Sequence, residues 1–110
     1  MAGASTSIGI GNIHLPQFNG KNYDYWSITM RALFVSQDLW EFVEDGFEEP
    51  TDEEEFDDLT QAEKELLKRN KKKDSKALYF LYQAVHESVF PRIEATKRSK
   101  EAWQTLKTTY

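Results

Sequence analysis

The sequence has no cysteine among its 110 residues. Without thiols, this stretch of chain cannot form disulfides, thiolate nucleophiles, zinc knuckles or iron-sulfur sites. An intracellular protein is the simpler interpretation, so we expect a cytoplasmic location, with access to the nucleus left open. No apolar run approaches the roughly 20 residues of a membrane span, and we therefore expect a soluble chain that has no membrane partner.

Histidine and glycine are also scarce, which removes the common enzyme patterns. Neither His14 nor His86 has a second ligand at metal-binding spacing, so we expect both to be structural or solvent-facing. Gly9 and Gly11 lack the third glycine of a phosphate-binding loop, and the acidic residues 47–58 lack the glycine of a calcium loop. The sequence thus predicts no enzyme, no catalytic residue, no metal site, no cofactor and no small-molecule substrate.

The net charge of -5 is unevenly distributed along the chain. No lysine or arginine occurs from Ala32 to Glu63, and a basic block follows at once. The simplest interpretation is a solvated acidic loop next to a solvated helix face. The alternative is a weak nucleic-acid or partner patch. That patch would comprise Lys68, Arg69, Lys71, Lys72, Lys73 and Lys76.

Apolar residues at helical spacing predict two helices in the first half of the chain. The first stripe consists of Trp26, Met30, Leu33 and Phe34. It predicts a helix from about Asn22 or Tyr23 to Ser36, capped by Asn22 or Asp24. A short second helix carries Leu39, Trp40 and Val43. We expect Asp38 to cap it and Gly46 to end it.

Two further helices are predicted in the second half. Thr60 and Glu63 match the capping box, which starts a long helix that we expect to end before Phe90. Its polar residues 70–75 predict a bend or fraying. Ser99 is expected to cap a last helix, whose apolar side bears Ala102, Trp103, Leu106 and Tyr110.

These elements predict an all-α fold: a compact bundle of four to five helices in a single domain at residues 15–110, with a flexible leader at residues 1–14 and an acidic loop at 44–58. The three tryptophans are predicted core residues, and a ligand groove beside them is the alternative. The predicted core is Trp26, Met30, Leu33, Phe34, Trp40, Val43, Leu78, Leu81, Val85, Trp103 and Leu106. Because the apolar pattern continues to Tyr110, we expect a C-terminally truncated piece of a longer parent.

The order of these motifs resembles a known family. It begins with Phe18-Asn19-Gly20-x-Asn22-Tyr23-x-x-Trp26-x-x-x-Met30 and continues with Leu39-Trp40-x-x-Val43-x-x-Gly46. Asp74-x-x-Ala77-Leu78 and Ser99-Lys100-Glu101-Ala102-Trp103-x-x-Leu106-x-x-x-Tyr110 follow. Together they are similar to the gag polyproteins of plant copia-type long-terminal-repeat retrotransposons, over about Leu15 to Tyr110.

The resemblance implies a fold like a capsid N-terminal domain and a structural role, in which the module associates with itself to build a retrotransposon particle. The expected partner is therefore a second copy of the chain or another protein. RNA binding is expected mainly from missing C-terminal regions. Two alternatives stay open: a host-domesticated adaptor that binds a peptide or protein in a hydrophobic groove, and weak RNA binding through the basic segment 68–76.

Overall fold

The computed structural model describes residues 14–110, so the leader predicted for residues 1–14 lies, apart from His14, outside the described residues. Within that range 63% of the residues are helical and none form a strand, which confirms the predicted all-α bundle. The five helices are α1 (Tyr23–Ser36), α2 (Trp40–Glu44), α3 (Glu53–Asp57), α4 (Gln61–Gln83) and α5 (Ser99–Thr109). A short 3-10 turn at Phe90–Arg92 lies between α4 and α5.

Helices α1 and α2 lie where the apolar stripes predict them, but their caps differ from the prediction. Asn22 precedes α1 in the left-handed conformation, with φ 57°, and no side chain caps this helix. The predicted cap at Asp38 is also wrong, because Leu39 occupies the N-cap position of α2 and makes no side-chain cap bond. Asp38 instead has φ 60° and turns the chain between the two helices. Such backbone is tolerated best by Gly, Asn and Asp.

Gly46 ends α2, as predicted. Its φ is 75°, and its N–H donates to the Phe42 carbonyl at 3.0 Å. A Cβ at this position would lie 3.2 Å from the Lys100 side chain on α5, so both the backbone conformation and the space favour glycine.

The acidic stretch predicted as a loop contains a one-turn helix, α3. The Asp52 side chain accepts a hydrogen bond from the Glu55 N–H at 2.8 Å, and the first turn carries three glutamates. Negative side chains near a helix N-terminus interact favourably with its exposed N–H groups. The acidic composition therefore supports a short helix here, and the loop assignment is wrong for residues 53–57.

Helix α4 begins with the predicted capping box. The Glu63 N–H donates to the Thr60 hydroxyl at 3.1 Å, and the Thr60 N–H donates to the Glu63 carboxylate at 2.8 Å. The helix continues unbroken through residues 70–75, contrary to the expected bend or fraying. A tertiary contact explains the continuous helix. Asp74 in this polar stretch is buried and accepts a hydrogen bond from the Ser99 N–H of α5.

Trp103 on α5 lies at the centre of the aromatic core. Its ring centroid is 5.7 Å from that of Trp26, 5.5 Å from that of Trp40 and 6.0 Å from that of Phe34. The last two pairs are edge-to-face, a favoured aromatic geometry. Helix α5 also packs against α2 and α4, so it contacts three of the other four helices.

Eight of the eleven predicted core residues are buried, and Leu33, Trp40 and Leu78 are partly buried and packed against the same cluster. The cluster extends beyond the predicted set. Its additional members are Phe18, Leu39, Ala77, Phe80, Ala84, Val89, Ile93 and Ala102.

Phe18 fastens the N-terminal segment to the far end of α4. Its N–H donates to the Ala84 carbonyl and its carbonyl accepts from the His86 N–H, both at 2.8 Å. The Phe18 ring stacks on Trp26 with centroids 4.9 Å apart and is fully buried. The segment before α1 is therefore part of the core.

Replacing Trp103 with alanine should lower the free energy of unfolding by about 3 to 5 kcal/mol, because a large buried side chain leaves a cavity. Tyr25→Ala is the control, since the Tyr25 side chain is 71% exposed and its loss should change stability by no more than about 0.5 kcal/mol. Urea unfolding followed by circular dichroism measures both. Equal stability of the Trp103→Ala and wild-type chains would contradict the core assignment.

Candidate functional site

The described residues bring no metal-binding cluster together. No set of three or more His, Asp or Glu side chains in residues 14–110 is placed to hold a metal ion. His86 is exposed, and its Nδ1 lies 2.9 Å from the Ser88 hydroxyl. Among the helices of this range, none is long and apolar enough to cross a membrane.

The buried carboxylate of Asp74 determines how α5 meets α4. Asp74 is only 3% exposed, and its Oδ1 accepts the Ser99 N–H at 3.2 Å and also the Ser99 hydroxyl. The Arg98 Nε lies 3.8 Å from Oδ2. The sequence predicts Ser99 as the cap of α5. This prediction is wrong, because the Ser99 hydroxyl is bonded to Asp74 and Ser99 is the first residue of the helix.

Arg98 extends this network to the acidic stretch. Its guanidinium donates to a Glu49 carboxylate oxygen and to the Phe47 carbonyl, both at 2.6 Å, and lies 4.0 Å from the centre of the Phe47 ring. Charge-assisted bonds of this kind are stronger than neutral ones. The residues that follow α2 are therefore held against the start of α5, which positions α3 beside α4.

Five of the six residues in the predicted basic patch form two exposed rows along α4. Lys68, Lys72 and Lys76 recur every four residues, and Arg69 and Lys73 form the adjacent row. All five are exposed. The Lys71 side chain extends toward the acidic stretch instead, and its Nζ lies 3.6 Å from the Glu49 carboxylate. We call Lys68, Arg69, Lys72, Lys73 and Lys76 the basic ridge.

An apolar row on the outer face of α1 was not recognised from the sequence. Tyr25, Ile28 and Val35 are 71%, 67% and 55% exposed, and Ala32 between them is also exposed. These four residues are spaced by three, four and three positions, so they form one stripe of the helix. This spacing is present in the sequence, but the larger residues Trp26, Met30 and Phe34 dominate the apolar pattern of the helix from its inner face. We call this stripe the α1 row.

A groove of about 750 Å³ runs between the N-terminal segment and α1. Its lining includes Pro16, Gln17, Tyr25, Trp26 and Thr29. This is the surface that the adaptor hypothesis would use. The buried Trp26 indole N–H donates to the Pro16 carbonyl at 3.1 Å. Trp26 therefore packs behind the wall of the groove.

Tyr25 on α1 and Tyr79 on α4 are exposed. Tyr23 is partly buried, and its ring lies edge-on to Phe18 with centroids 5.7 Å apart. Burial, and secondarily the neighbouring Asp24 carboxylate, raises the pKa of Tyr23 above its ordinary value of 10.0. The Tyr23 phenol is therefore uncharged at neutral pH and acts as a packing group.

Fold and surface chemistry together define a small all-helical module that exposes the α1 row, the basic ridge and the acidic stretch around α3. A model of the gag-polypeptide of LTR copia-type matches residues 30–110, so the chain belongs to this family. The family is generally structural and not catalytic. No curated protein and no solved structure matches the chain.

Replacing Ser99 with alanine should lower the free energy of unfolding by about 1 to 3 kcal/mol, because the buried Asp74 carboxylate loses a hydrogen-bond donor. Ser75→Ala makes the same chemical change at an exposed position of α4, one residue from Asp74. It should leave stability unchanged or slightly raised, since alanine favours helix. Chemical denaturation of the two variants measures the difference, and equal midpoints would contradict a structural role for this hydrogen bond.

Proposed function

We propose that this chain is a structural gag module that associates with copies of itself, and that this association contributes to a retrotransposon particle. Membership of the copia-type gag family supports the structural role. The observation that carries self-association is the α1 row, where three large apolar side chains are more than half exposed on one helix face. Clustered exposed apolar side chains mark interaction sites more often than scattered ones do.

The spacing of the α1 row suits a second copy of the same chain. The intervals of three, four and three positions are symmetric about the middle of the row. Two antiparallel copies of the row can therefore face each other across a two-fold axis. Tyr25 would then lie opposite Val35 of the other copy, and Ile28 opposite Ala32. Each contact combines a large and a smaller side chain, which allows the two helices to approach closely.

The contact is expected to be weak in an isolated pair. Four side chains on one helix bury much less surface than the roughly 800 Å² per partner of a stable interface. Particle assembly accommodates this weakness, because many copies joined by weak contacts bind cooperatively while each contact stays reversible. We therefore expect dimerisation to depend strongly on protein concentration.

The adaptor alternative would use the groove between the N-terminal segment and α1. In that case the chain stays monomeric at all concentrations and binds a peptide or protein beside Pro16 and Tyr25. Concentration-dependent mass distinguishes the two functions without knowledge of the adaptor's partner.

Replacing Ile28 with aspartate should weaken self-association about tenfold or more, since the change puts a charge into an apolar contact. Leu66→Asp is the matched control, because Leu66 is another exposed apolar side chain, on α4, and the variant carries the same charge. Sedimentation velocity from micromolar to millimolar protein measures the masses.

Wild-type chain that stays monomeric over the whole concentration range would contradict self-association. If the wild-type chain associates and Ile28→Asp associates equally well, the α1 row is not the contact.

A further inference from the structure

The basic ridge presents a line of cations opposite the buried face of α4. Leu67, Ala77 and Leu81 face the core, and at about 100° per residue Lys68, Arg69, Lys72 and Lys76 lie on the other side of the helix. Lys73 lies at the edge of the ridge nearest α2, with its ammonium 6.0 Å from the centre of the Phe42 ring. From Lys68 to Lys76 the ridge extends for about 12 Å at 1.5 Å per residue. It is long enough to contact a short helix or an extended segment, but too narrow to form a pocket.

A shorter exposed acidic segment, about 7.5 Å long at 1.5 Å per residue, lies at α3. Glu53, Glu54, Asp57 and Asp58 are all exposed on this one-turn helix and its C-cap. Phe56 lies on its α4 side, with the Lys64 ammonium 5.0 Å from its ring centre. We call Glu53, Glu54, Asp57 and Asp58 the acidic segment.

Neither surface is used for ion pairing within the chain. In residues 14–110, the ion pairs within 4.0 Å are Lys71 with Glu49, Arg98 with Glu49, and Arg98 with Asp74. None of them involves the ridge or the acidic segment. The fold thus holds five cations and four carboxylates on two separate exposed surfaces of the same molecule.

We propose that the basic ridge of one copy binds the acidic segment of a neighbouring copy. This inference rests on the proposed self-association and adds a second contact to it. Charge complementarity favours a second copy as the occupant, because each molecule carries both an exposed cationic surface and an exposed anionic surface. A polyanion such as RNA is the competing ligand, but the nearby acidic segment and the net charge of -5 oppose its approach.

This second contact changes the size that an assembly can reach. The α1 row contacts itself across a two-fold axis, so that contact alone stops at a dimer. Ridge and acidic segment are different surfaces, so their contact is head-to-tail and leaves one free surface of each kind at the ends. Chains that use both contacts can therefore extend beyond the dimer. Exposed charge pairs are screened by salt, so the larger species should dissociate first as ionic strength rises.

A charge swap tests the proposal. The ridge variant carries Arg69→Glu, Lys72→Glu and Lys76→Glu, and the segment variant carries Glu54→Lys, Asp57→Lys and Asp58→Lys. Each variant alone bears like charges on both surfaces, so we expect association beyond the dimer to weaken about tenfold or more. An equimolar mixture again pairs acid with base, and we expect it to recover species larger than the dimer.

A matched control separates this contact from general charge repulsion. Lys21→Glu, Arg92→Glu and Lys97→Glu give the same change in net charge as the ridge variant at exposed positions outside both surfaces. We expect this control to assemble as the wild-type chain does. Circular dichroism and thermal unfolding verify that all variants fold, and mass is measured by light scattering and sedimentation velocity.

The outcomes separate the two proposals. A wild-type chain that never exceeds a monomer removes self-association and this inference together. A wild-type chain that assembles while both swap variants assemble equally well overturns the inference alone. An equimolar mixture of the two swap variants that forms no species larger than the dimer also overturns the inference. If a single-stranded 20-nucleotide uridine RNA binds the wild-type chain but not the ridge variant, and the mixture recovers nothing, the ridge is an RNA site.

Discussion

The packing of Trp103 determines where α1, α2 and α5 lie. Its ring contacts Trp26 and Phe34 of α1 and Trp40 of α2, while α5 itself packs against α4. Phe18 then stacks on Trp26 and connects the N-terminal segment to the same cluster. Burial of large aromatic side chains contributes much of the stability of a domain of this size. The surfaces available for binding are those that this cluster leaves on the outside.

Polar contacts determine the arrangement of the remaining parts. The Asp74 carboxylate accepts two bonds from Ser99 at the start of α5, and Arg98 connects the same carboxylate to Glu49 after α2. A buried charge is tolerated only when it is paired, so these groups specify one orientation of α5 on α4. By this route the acidic stretch is held beside α4 without using the basic ridge or the acidic segment.

Much of the fold could be predicted from the sequence because helical periodicity and capping boxes are local signals. Trp26, Met30 and Phe34 locate α1, and Thr60 with Glu63 locates the start of α4. The errors concern residues whose partners are distant. Ser99 matches a cap in sequence, but its hydroxyl is used by Asp74, 25 positions away. Phe18 has no periodic pattern around it, and its burial depends on Ala84, Val85 and His86 at the far end of α4.

The candidate surfaces were only partly predictable for a related reason. The basic ridge follows from the composition of α4, although the separation of Lys71 depends on the position of Glu49. The spacing of the α1 row is present in the sequence, but Trp26, Met30 and Phe34 provide the stronger apolar signal on the same helix. The charge of residues 53–57 predicts a loop, whereas the Asp52 cap makes them helical.

The tryptophans form the framework of the bundle, and we expect binding to occur on the outer helix faces. A dilution series followed by nuclear magnetic resonance of the amide and indole N–H groups distinguishes these two roles. We expect the amide signals of the outer faces of α1, α3 and α4 to shift with protein concentration, while the indole signals of Trp26, Trp40 and Trp103 do not. The opposite result, in which the indole signals shift and the α1 amide signals stay constant, would contradict this prediction. The tryptophans themselves would then be the binding surface.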